Sequence, residues 1–248
     1  MGKETCAILQ PHYLPWLGYF EMIDRVDTFV FLDDVQYEDR GWQNRNRIRK
    51  SLNSDETKWL TVPVVKANRR STQLKDIEVC HHENWAVRHQ NAVYQSYKHA
   101  RFADDLFDLV ARWVAHGRDD SPFLADLNIQ IISSITRFLG IKTKLVRSST
   151  LTVSGKKTDK LVGICETLGA RSYVANNGSM PYIVPNKFEK KGIDFVFQNF
   201  RHPIYDQGKL GFLSHLSILD VLLCCGHNSI DIMRVGRPKD WRLSERGG

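Results

Sequence analysis

Short apolar runs alternate with longer amphipathic stretches along most of the chain. Runs of strand length lie at residues 5–10, 27–32, 142–147, 172–176 and 193–198, and helical spacing of apolar positions is found at 15–25, 156–168, 182–191 and 213–225. Further strand-like runs lie at 58–65 and 74–79, whereas the polar and basic stretch at 33–50 predicts a loop. Strand–helix alternation of this kind predicts an α/β fold with a mainly parallel, Rossmann-like sheet.

A segment of purely helical character interrupts this alternation at residues 83–140. Apolar residues recur there at helical spacing around Trp85 and Trp113, and a further helix is predicted from about 123 to 139. The expected organisation is an α/β core made of residues 1–82 and 141–233, with a helical layer or subdomain inserted at 83–140. The last residues, 234–248, are poorly patterned and predict a basic tail.

Composition narrows the class of protein. The chain has 248 residues and is 42% hydrophobic, which is enough for a substantial core. It has no apolar run of about 18 residues that could form a membrane span, and its first residues lack the apolar stretch of a signal peptide. The five cysteines are odd in number and lack metal-type spacing, which is typical of a reducing compartment. We therefore expect a cytoplasmic protein.

The net charge of +7 predicts anionic partners. Nucleic acid, an anionic membrane surface and phosphate-bearing small molecules or carriers would all satisfy this charge. Because no recognised nucleic-acid motif accompanies the basic clusters, nucleic acid is not expected and phosphate-bearing small molecules or carriers are favoured.

Polar and aromatic side chains follow the first apolar run directly. Gln10 and His12 can hydrogen-bond a ligand, and His12 is the best candidate for a general acid or base because its ordinary pKa lies near neutrality. Tyr13, Trp16 and Tyr19 can stack on a base or a sugar, although an aromatic helix packed on the sheet would account for part of this cluster. Since ligands of open α/β sheets bind at the carboxyl ends of strands, a binding site is predicted here.

A second polar cluster follows the next apolar run. Asp33 and Asp34 could hold a magnesium ion, a ribose hydroxyl or a substrate amine, or one of them could cap the turn that ends the strand. Gln36 continues this polar edge. Two strand ends that carry such residues predict one shared crevice.

A third cluster lies between residues 42 and 47. The guanidinium groups of Arg45 and Arg47 suit phosphate or carboxylate. Trp42 and Asn44 add stacking and amide groups that a plain basic loop would not need, so a ligand site is favoured.

A fourth candidate is the turn between the strand predicted at 172–176 and the helix that follows it. Backbone N–H groups at such a turn can bind an anion; the residues concerned are Asn176, Asn177 and Ser179, with Tyr182 just beyond. The segment from His202 to Tyr205 could close the site from a loop. No metal site is expected, because the histidines lack the spacing of a helical metal pair.

The chain resembles the WbqC-like family of bacterial proteins in motifs that span nearly its whole length. These are Gln10-Pro11-x-Tyr13-Leu14-Pro15-Trp16-x-Gly18-Tyr19-Phe20, Asp34-x-Gln36-Tyr37, Trp42-x-Asn44-Arg45, Trp59-Leu60-x-Val62-Pro63 and Leu216-Ser217-Ile218-Leu219-Asp220. The family is commonly encoded among genes for O-antigen and related polysaccharides. The resemblance therefore implies a role in making or decorating a surface sugar, for instance by transfer of an amino-acid or acyl group to an amino sugar.

The order of the first elements is also similar to the start of the HIGH-motif nucleotidylyltransferases, a group that includes pantothenate synthetase. Where that group has His-x-Gly-His, this chain has Trp16-Leu17-Gly18-Tyr19. Both histidines that stabilise charge on the nucleotide phosphates are missing, which argues against adenylate chemistry by that route.

The expected function is transfer of an acyl or aminoacyl group to the amine of a nucleotide-linked amino sugar. His12 would deprotonate the ammonium, Asp33 or Asp34 would orient the amine or His12, and Arg45 and Arg47 would hold phosphates. The donor would be activated by ATP with magnesium or as a thioester on an acyl carrier, with a carrier protein as a partner in the second case. The alternative is a non-catalytic protein that binds a nucleotide sugar or a carrier for a partner enzyme.

Overall fold

The computed structural model describes residues 4–65, 71–81, 84–115, 122–208 and 211–238. The strands are β1 (Thr5–Leu9), β2 (Thr28–Phe31), β3 (Arg45–Arg49), β4 (Thr57–Thr61), β5 (Lys144–Arg147), β6 (Ser172–Ala175) and β7 (Asp194–Phe197). The helices are α1 (Leu17–Arg25), α2 (Trp85–Tyr97), α3 (Ala103–Ala115), α4 (Leu124–Phe138), α5 (Thr158–Leu168), α6 (Asn186–Glu189), α7 (Ile218–Cys225) and α8 (Ser229–Val235). The predicted α/β class is confirmed.

Five of these strands form one parallel sheet in the order β5-β2-β1-β6-β7. From β1 the chain moves through β2 to β5 at one edge, and then returns across the sheet to β6 and β7 on the other side of β1. The segments that leave the carboxyl ends of β1 and β6 therefore diverge. This topological switch point leaves a crevice of the kind in which Rossmann-like folds bind ligands.

Apolar side chains of the sheet alternate between two cores, as the period of a strand requires. On β1, Ala7 belongs to the larger core, which also includes residues of α1, α2, α3, α4, α7 and α8. Cys6 and Ile8 belong to the smaller core on the opposite face, with residues of α5 and α6. The helices of the segment predicted at 83–140 thus share their apolar core with the sheet. None of the described helices is both long and apolar enough to cross a membrane.

An antiparallel hairpin of β3 and β4 lies outside the main sheet, where the sequence predicts a loop for residues 33–50. That prediction is wrong for residues 45–49. Asn46 and Ile48 are buried while Arg45 and Arg47 are partly exposed, so the strand does alternate, but with arginine rather than apolar side chains marking the period.

The predicted strand at 74–79 is also wrong over its first half. Leu74–Asp76 forms a 3₁₀ turn, and Val79 contributes only an isolated bridge to Val64. Leu74 and Ile77 are both buried, at a spacing of one helical turn, which explains the conformation.

The structure describes residues 234–238 of the predicted basic tail, and two of them form ion pairs with α1. Arg234 forms an ion pair with Asp24 on α1. Arg237 contacts both Asp24 and the fully buried Glu21. Residues 239–248 of the predicted tail and residues 82–83 at the predicted subdomain boundary lie outside the described part of the chain.

Candidate functional site

A cavity of about 480 Å³ opens at the switch point of the sheet, and its volume suits a small-molecule ligand. Four segments supply its walls. The first segment runs from the end of β1 into α1, the second is the hairpin region, and the other two follow β6 and β7. In this order, the lining residues are Leu9, His12, Pro15, Trp16, Gly18 and Tyr19; Trp42, Asn46 and Arg47; Asn176, Asn177 and Gly178; and Gln198, Phe200 and His215.

Buried amides hold the loop after β1 in place. Asn46 donates hydrogen bonds to the carbonyl oxygens of Tyr13 (3.2 Å) and Leu14 (2.7 Å). Asn128 of α4 donates to the carbonyl oxygen of Pro11 at 2.9 Å. Leu14 has a φ of 42°, a left-handed conformation that a leucine does not favour and that these contacts help to fix.

His12 is a neutral imidazole in this cavity. Burial lowers its pKa from 6.5 to about 4. Its ring lies 5.5 Å from the Tyr19 ring, centroid to centroid, and within the described residues it has no hydrogen-bond partner. The ring nitrogens are thus available to a ligand, as the sequence predicts for a general base.

The ring of Trp16, at the amino end of α1, packs against the rings of two histidines that also contact each other. Its ring centroid lies 4.8 Å from that of His215 and 6.0 Å from that of His202. Gly18 makes this arrangement possible, because a β-carbon there would lie 2.3 Å from the Trp16 ring. Burial lowers the pKa of His215, and the nearby charge of Arg47 lowers it further. His202 belongs to the predicted closing segment, but it packs on Trp16 and does not line the cavity.

Arg47 brings positive charge to the cavity. Its Nε is buried without a hydrogen-bond partner, and no acidic side chain of the described residues pairs with it. Arg45 lies farther out, where its guanidinium covers the Trp59 ring and donates to the carbonyl oxygen of Arg40. The predicted arginine pair is therefore divided between the cavity wall and the adjoining surface.

Of the residues predicted as a site at the turn after β6, two line the cavity and two lie outside it. Asn176 and Asn177 line the cavity, and Asn177 Oδ1 accepts a hydrogen bond from the Asn199 amide at 3.1 Å. Ser179 closes the turn by donating to the Asn176 carbonyl oxygen at 2.7 Å. Tyr182 is 75% exposed and does not reach the cavity.

Asp33 and Asp34 do not line the cavity. Asp33 is fully buried and accepts hydrogen bonds from Arg147 Nε (2.7 Å), Ser149 Oγ (2.7 Å) and the Ser149 amide (2.9 Å). Burial alone would raise the pKa of Asp33, but these hydrogen bonds outweigh it and the pKa is lowered. Asp34 is paired with Lys160 of α5 at 2.6 Å. Both carboxylates therefore join β2 to β5 and α5.

The remaining predicted residues support the site from outside the cavity. Gln10 Oε1 accepts a hydrogen bond from Gln43 at 2.9 Å, and the buried Asn44 donates to the Val62 carbonyl oxygen at 3.0 Å. Tyr13 is buried, with its hydroxyl 2.9 Å from His89 Nδ1. Gln36 lies on the surface in an isolated bridge to Gln73.

Comparison with known proteins identifies the family. A model of the WbqC-like protein family matches residues 10–232. The chain belongs to the WbqC-like protein family. It is 32% identical over 240 residues to the uncharacterized protein Rv1507c of Mycobacterium tuberculosis (strain ATCC 25618 / H37Rv), a match that covers 94% of this chain and 99% of that protein. No solved structure matches the chain significantly.

The last motif of this WbqC-like protein holds the long segment that follows β7. Asp220 is fully buried and accepts hydrogen bonds from the hydroxyls of Tyr97 (2.8 Å) and Tyr205 (2.7 Å) and from Gln207 Nε2 (2.7 Å). Arg49 binds Gln207 from the hairpin side. This network fixes the segment that carries Phe200 and His215 into the cavity wall.

Sequence reasoning missed several lining residues of this WbqC-like site. Gln198 is the last residue of the strand predicted at 193–198, so its position at a carboxyl strand end is a usable signal. It donates to the Gly18 carbonyl oxygen and to Glu21, both at 2.6 Å, and so links β7 to α1. Phe200 and His215 carry no comparable signal, because their places depend on how the loops after β7 pack, whereas Asn46 lies within the third cluster predicted at residues 42–47.

Proposed function

We propose that this WbqC-like protein is an enzyme that transfers an acyl or aminoacyl group to the amine of a nucleotide-linked amino sugar, in the biosynthesis of a surface polysaccharide or related glycan. The observation that carries the proposal is a neutral His12, with no hydrogen-bond partner among the described residues, in a switch-point cavity that Arg47 also lines. A base and an available guanidinium in one cavity suit an acceptor that carries both an amine and a phosphate.

The reaction requires the movement of two protons. The sugar ammonium first releases one proton to solvent through His12. The free amine then attacks the carbonyl carbon of the donor, the C–N bond forms, and the C–S bond of a thioester breaks. His12 takes the second proton from the attacking nitrogen and passes it to the departing sulfur, so the products are an amide and a thiol.

Burial sets the protonation state that His12 needs for this role. Its pKa of about 4 keeps the ring unprotonated and able to accept a proton. Negative charge from a bound diphosphate raises an imidazole pKa. Occupancy of the cavity by the acceptor therefore brings the pKa of His12 closer to the pH at which a general base works best.

Asp33 and Asp34 already form ion pairs within the protein, and this favours a thioester donor over magnesium-ATP. Magnesium sites use carboxylate oxygens, and at this edge of the sheet Asp33 and Asp34 are already paired with Arg147 and Lys160. No step of the proposed reaction therefore uses these two residues.

The test is a transfer assay with purified full-length protein. Uridine- and thymidine-diphosphate-linked amino sugars are incubated with acyl-coenzyme A or acyl-pantetheine thioesters, and amide products are measured by mass spectrometry. We expect His12→Ala to lower kcat by about 100-fold or more, as loss of a general base does. Tyr94→Ala, which alters a half-exposed aromatic residue on α2, serves as the control and should leave kcat unchanged.

Two results would oppose the proposal. Transfer that is unaffected by His12→Ala would remove the assigned base. Tight binding of nucleotide-linked amino sugars without product for any donor would instead favour a non-catalytic binding protein.

A further inference from the structure

Two half-exposed tryptophans lie on the hairpin side of the cavity. Trp42 is 43% exposed and Trp59 is 46% exposed, and their ring centroids are 5.6 Å apart. Trp42 lines the cavity and Trp59 does not, so the pair leads from the cavity to the outer surface. We call these two indoles, with Arg45 and Arg47, the tryptophan platform.

Arginine side chains lie against the platform. Arg47 faces Trp59 across the β3–β4 ladder, and its Cζ lies 5.7 Å from the Trp59 ring centroid and 5.8 Å from that of Trp42. The Cζ of Arg45 lies 4.4 Å from the Trp59 centroid. Stacking of this kind holds a guanidinium in a fixed plane and leaves its edge free to bind an anion.

Both arginines also have an unsatisfied buried donor. The Nε atoms of Arg45 and Arg47 are buried and have no hydrogen-bond partner. Such a donor needs a water or a ligand as its acceptor, and the position of Arg47 in the cavity wall favours a ligand here. An acceptor that serves two neighbouring guanidinium groups is a polyanion such as a diphosphate.

The positions of Arg47 and His12 determine which end of the ligand lies in the cavity and which lies on the platform. Arg47 belongs to both, whereas His12 belongs only to the cavity. Under the proposed function, the amine must lie beside His12, so the sugar occupies the cavity and the diphosphate lies at Arg47. The group on the other side of the diphosphate is the nucleoside, and it then lies over the indoles.

We propose that the tryptophan platform is the nucleobase subsite of this protein, and that a nucleoside diphosphate-linked sugar binds with its base on Trp42 and Trp59 and its sugar in the cavity. This inference rests on the proposed function for the orientation of the ligand. Stacking on exposed indoles uses the π-face that every base has. The subsite therefore accepts different bases with similar affinity.

The test is calorimetric titration of the full-length protein with three probes: uridine diphosphate, guanosine diphosphate and inorganic pyrophosphate. We expect both nucleoside diphosphates to bind at least tenfold more tightly than pyrophosphate. Trp59→Ala should weaken their binding by about tenfold more than it weakens the binding of pyrophosphate, the order of one base-stacking contact; some loss for pyrophosphate is expected, because the ring also orients Arg45 and Arg47. Trp59→Phe should retain most of the affinity, and it serves as the test variant if Trp59→Ala does not fold.

Two further variants distinguish the contribution of base stacking to affinity from that of phosphate binding. Arg47→Gln should weaken all three probes, and Tyr94→Ala should weaken none. Equal affinities of the wild-type protein for pyrophosphate and the nucleoside diphosphates would overturn the inference. So would a Trp59→Ala variant that loses affinity for glucosamine 1-phosphate but not for uridine diphosphate, because the platform would then hold the sugar. Absence of transfer activity alongside the expected binding pattern would oppose the proposed reaction and leave the base subsite in place.

Discussion

At the scale of single residues, His12 combines a lowered pKa with a ring that has no hydrogen-bond partner among residues 4–65, 71–81, 84–115, 122–208 and 211–238. Because it is neutral at pH 6 with a pKa of about 4, a bound diphosphate that raises this pKa must draw a proton from solution. We expect uptake of protons when a uridine diphosphate-linked sugar, whose bridging diphosphate does not titrate in this range, binds between about pH 4 and 6, and affinity that increases as the pH falls through this range. Calorimetry in buffers of different ionisation enthalpy measures the uptake. His12→Gln should abolish most of it, and equal uptake by that variant would place the titrating group elsewhere.

The buried histidines also make stability depend on pH. The pKa values of His12 and His89 are both lowered from 6.5 to about 4, mainly by burial. Between about pH 4 and pH 6.5 the unfolded chain binds more protons than the folded chain. The stability that the neutral histidines contribute is therefore complete above pH 6.5 and is lost as the pH falls towards 4. The free energy of unfolding should fall by up to about 1.4 kcal/mol per pH unit for each histidine. Urea titrations at pH 7 and pH 5 test this, and His89→Gln should show a smaller decrease than the wild type.

The site could be predicted from the sequence where a residue lies next to a strand end and keeps its side chain free. His12 and Trp16 follow β1 closely and line the cavity. Asp33 follows β2 just as closely, yet its oxygens are taken by Arg147 and Ser149, which are more than a hundred positions away in the chain. The local sequence contains no signal for such partners, so the two cases look alike before the fold is known.

At the scale of secondary-structure elements, the hydrogen bonds that Asp33 accepts from Arg147 and Ser149 hold the end of β2 against the end of β5. We expect Asp33→Ala to lower the free energy of unfolding by about 3 kcal/mol, because it leaves buried donors unsatisfied and Arg147 without one of its carboxylates. Affinity for uridine diphosphate should stay within twofold. Asp76→Ala, which breaks the exposed Lys75–Asp76 pair, is the control and should cost under about 0.5 kcal/mol. Lost transfer activity in an Asp33→Ala variant of unchanged stability would instead assign Asp33 to catalysis.

The elements that could be predicted from the sequence are those whose apolar residues recur at the period of a strand or a helix. The five parallel strands and helices such as α4 and α5 follow the hydrophobic pattern. The hairpin strand β3 did not, because Arg45, Arg47 and Arg49 occupy alternate positions where a pattern based on hydrophobicity indicates a loop. Arg49 is fully buried beneath Gln207 and the Gly211 carbonyl, a place that only tertiary packing can provide.

At the scale of the whole molecule, the helical segment and the sheet share one apolar core. Residues such as Trp113 of α3 and Ile131 of α4 belong to the same core as Ala7 of β1. We therefore expect α4 and β1 to open together, with amide exchange that reports the same free energy of global unfolding. Hydrogen-exchange mass spectrometry across a urea series tests this. Earlier exchange throughout α2, α3 and α4 would instead support an independent subdomain at 83–140, as the sequence division suggests.

The contact between Gly18 and the ring of Trp16 has a consequence for how this family diverges. Because even a methyl group at position 18 would collide with the indole at position 16, the glycine cannot change while the tryptophan is present. A lineage that replaces the glycine must first give up the tryptophan, and a lineage that keeps the tryptophan must keep the glycine. Across homologues, a residue other than glycine at position 18 should therefore occur only where position 16 is not tryptophan, and because both positions line the cavity, such a change alters its wall.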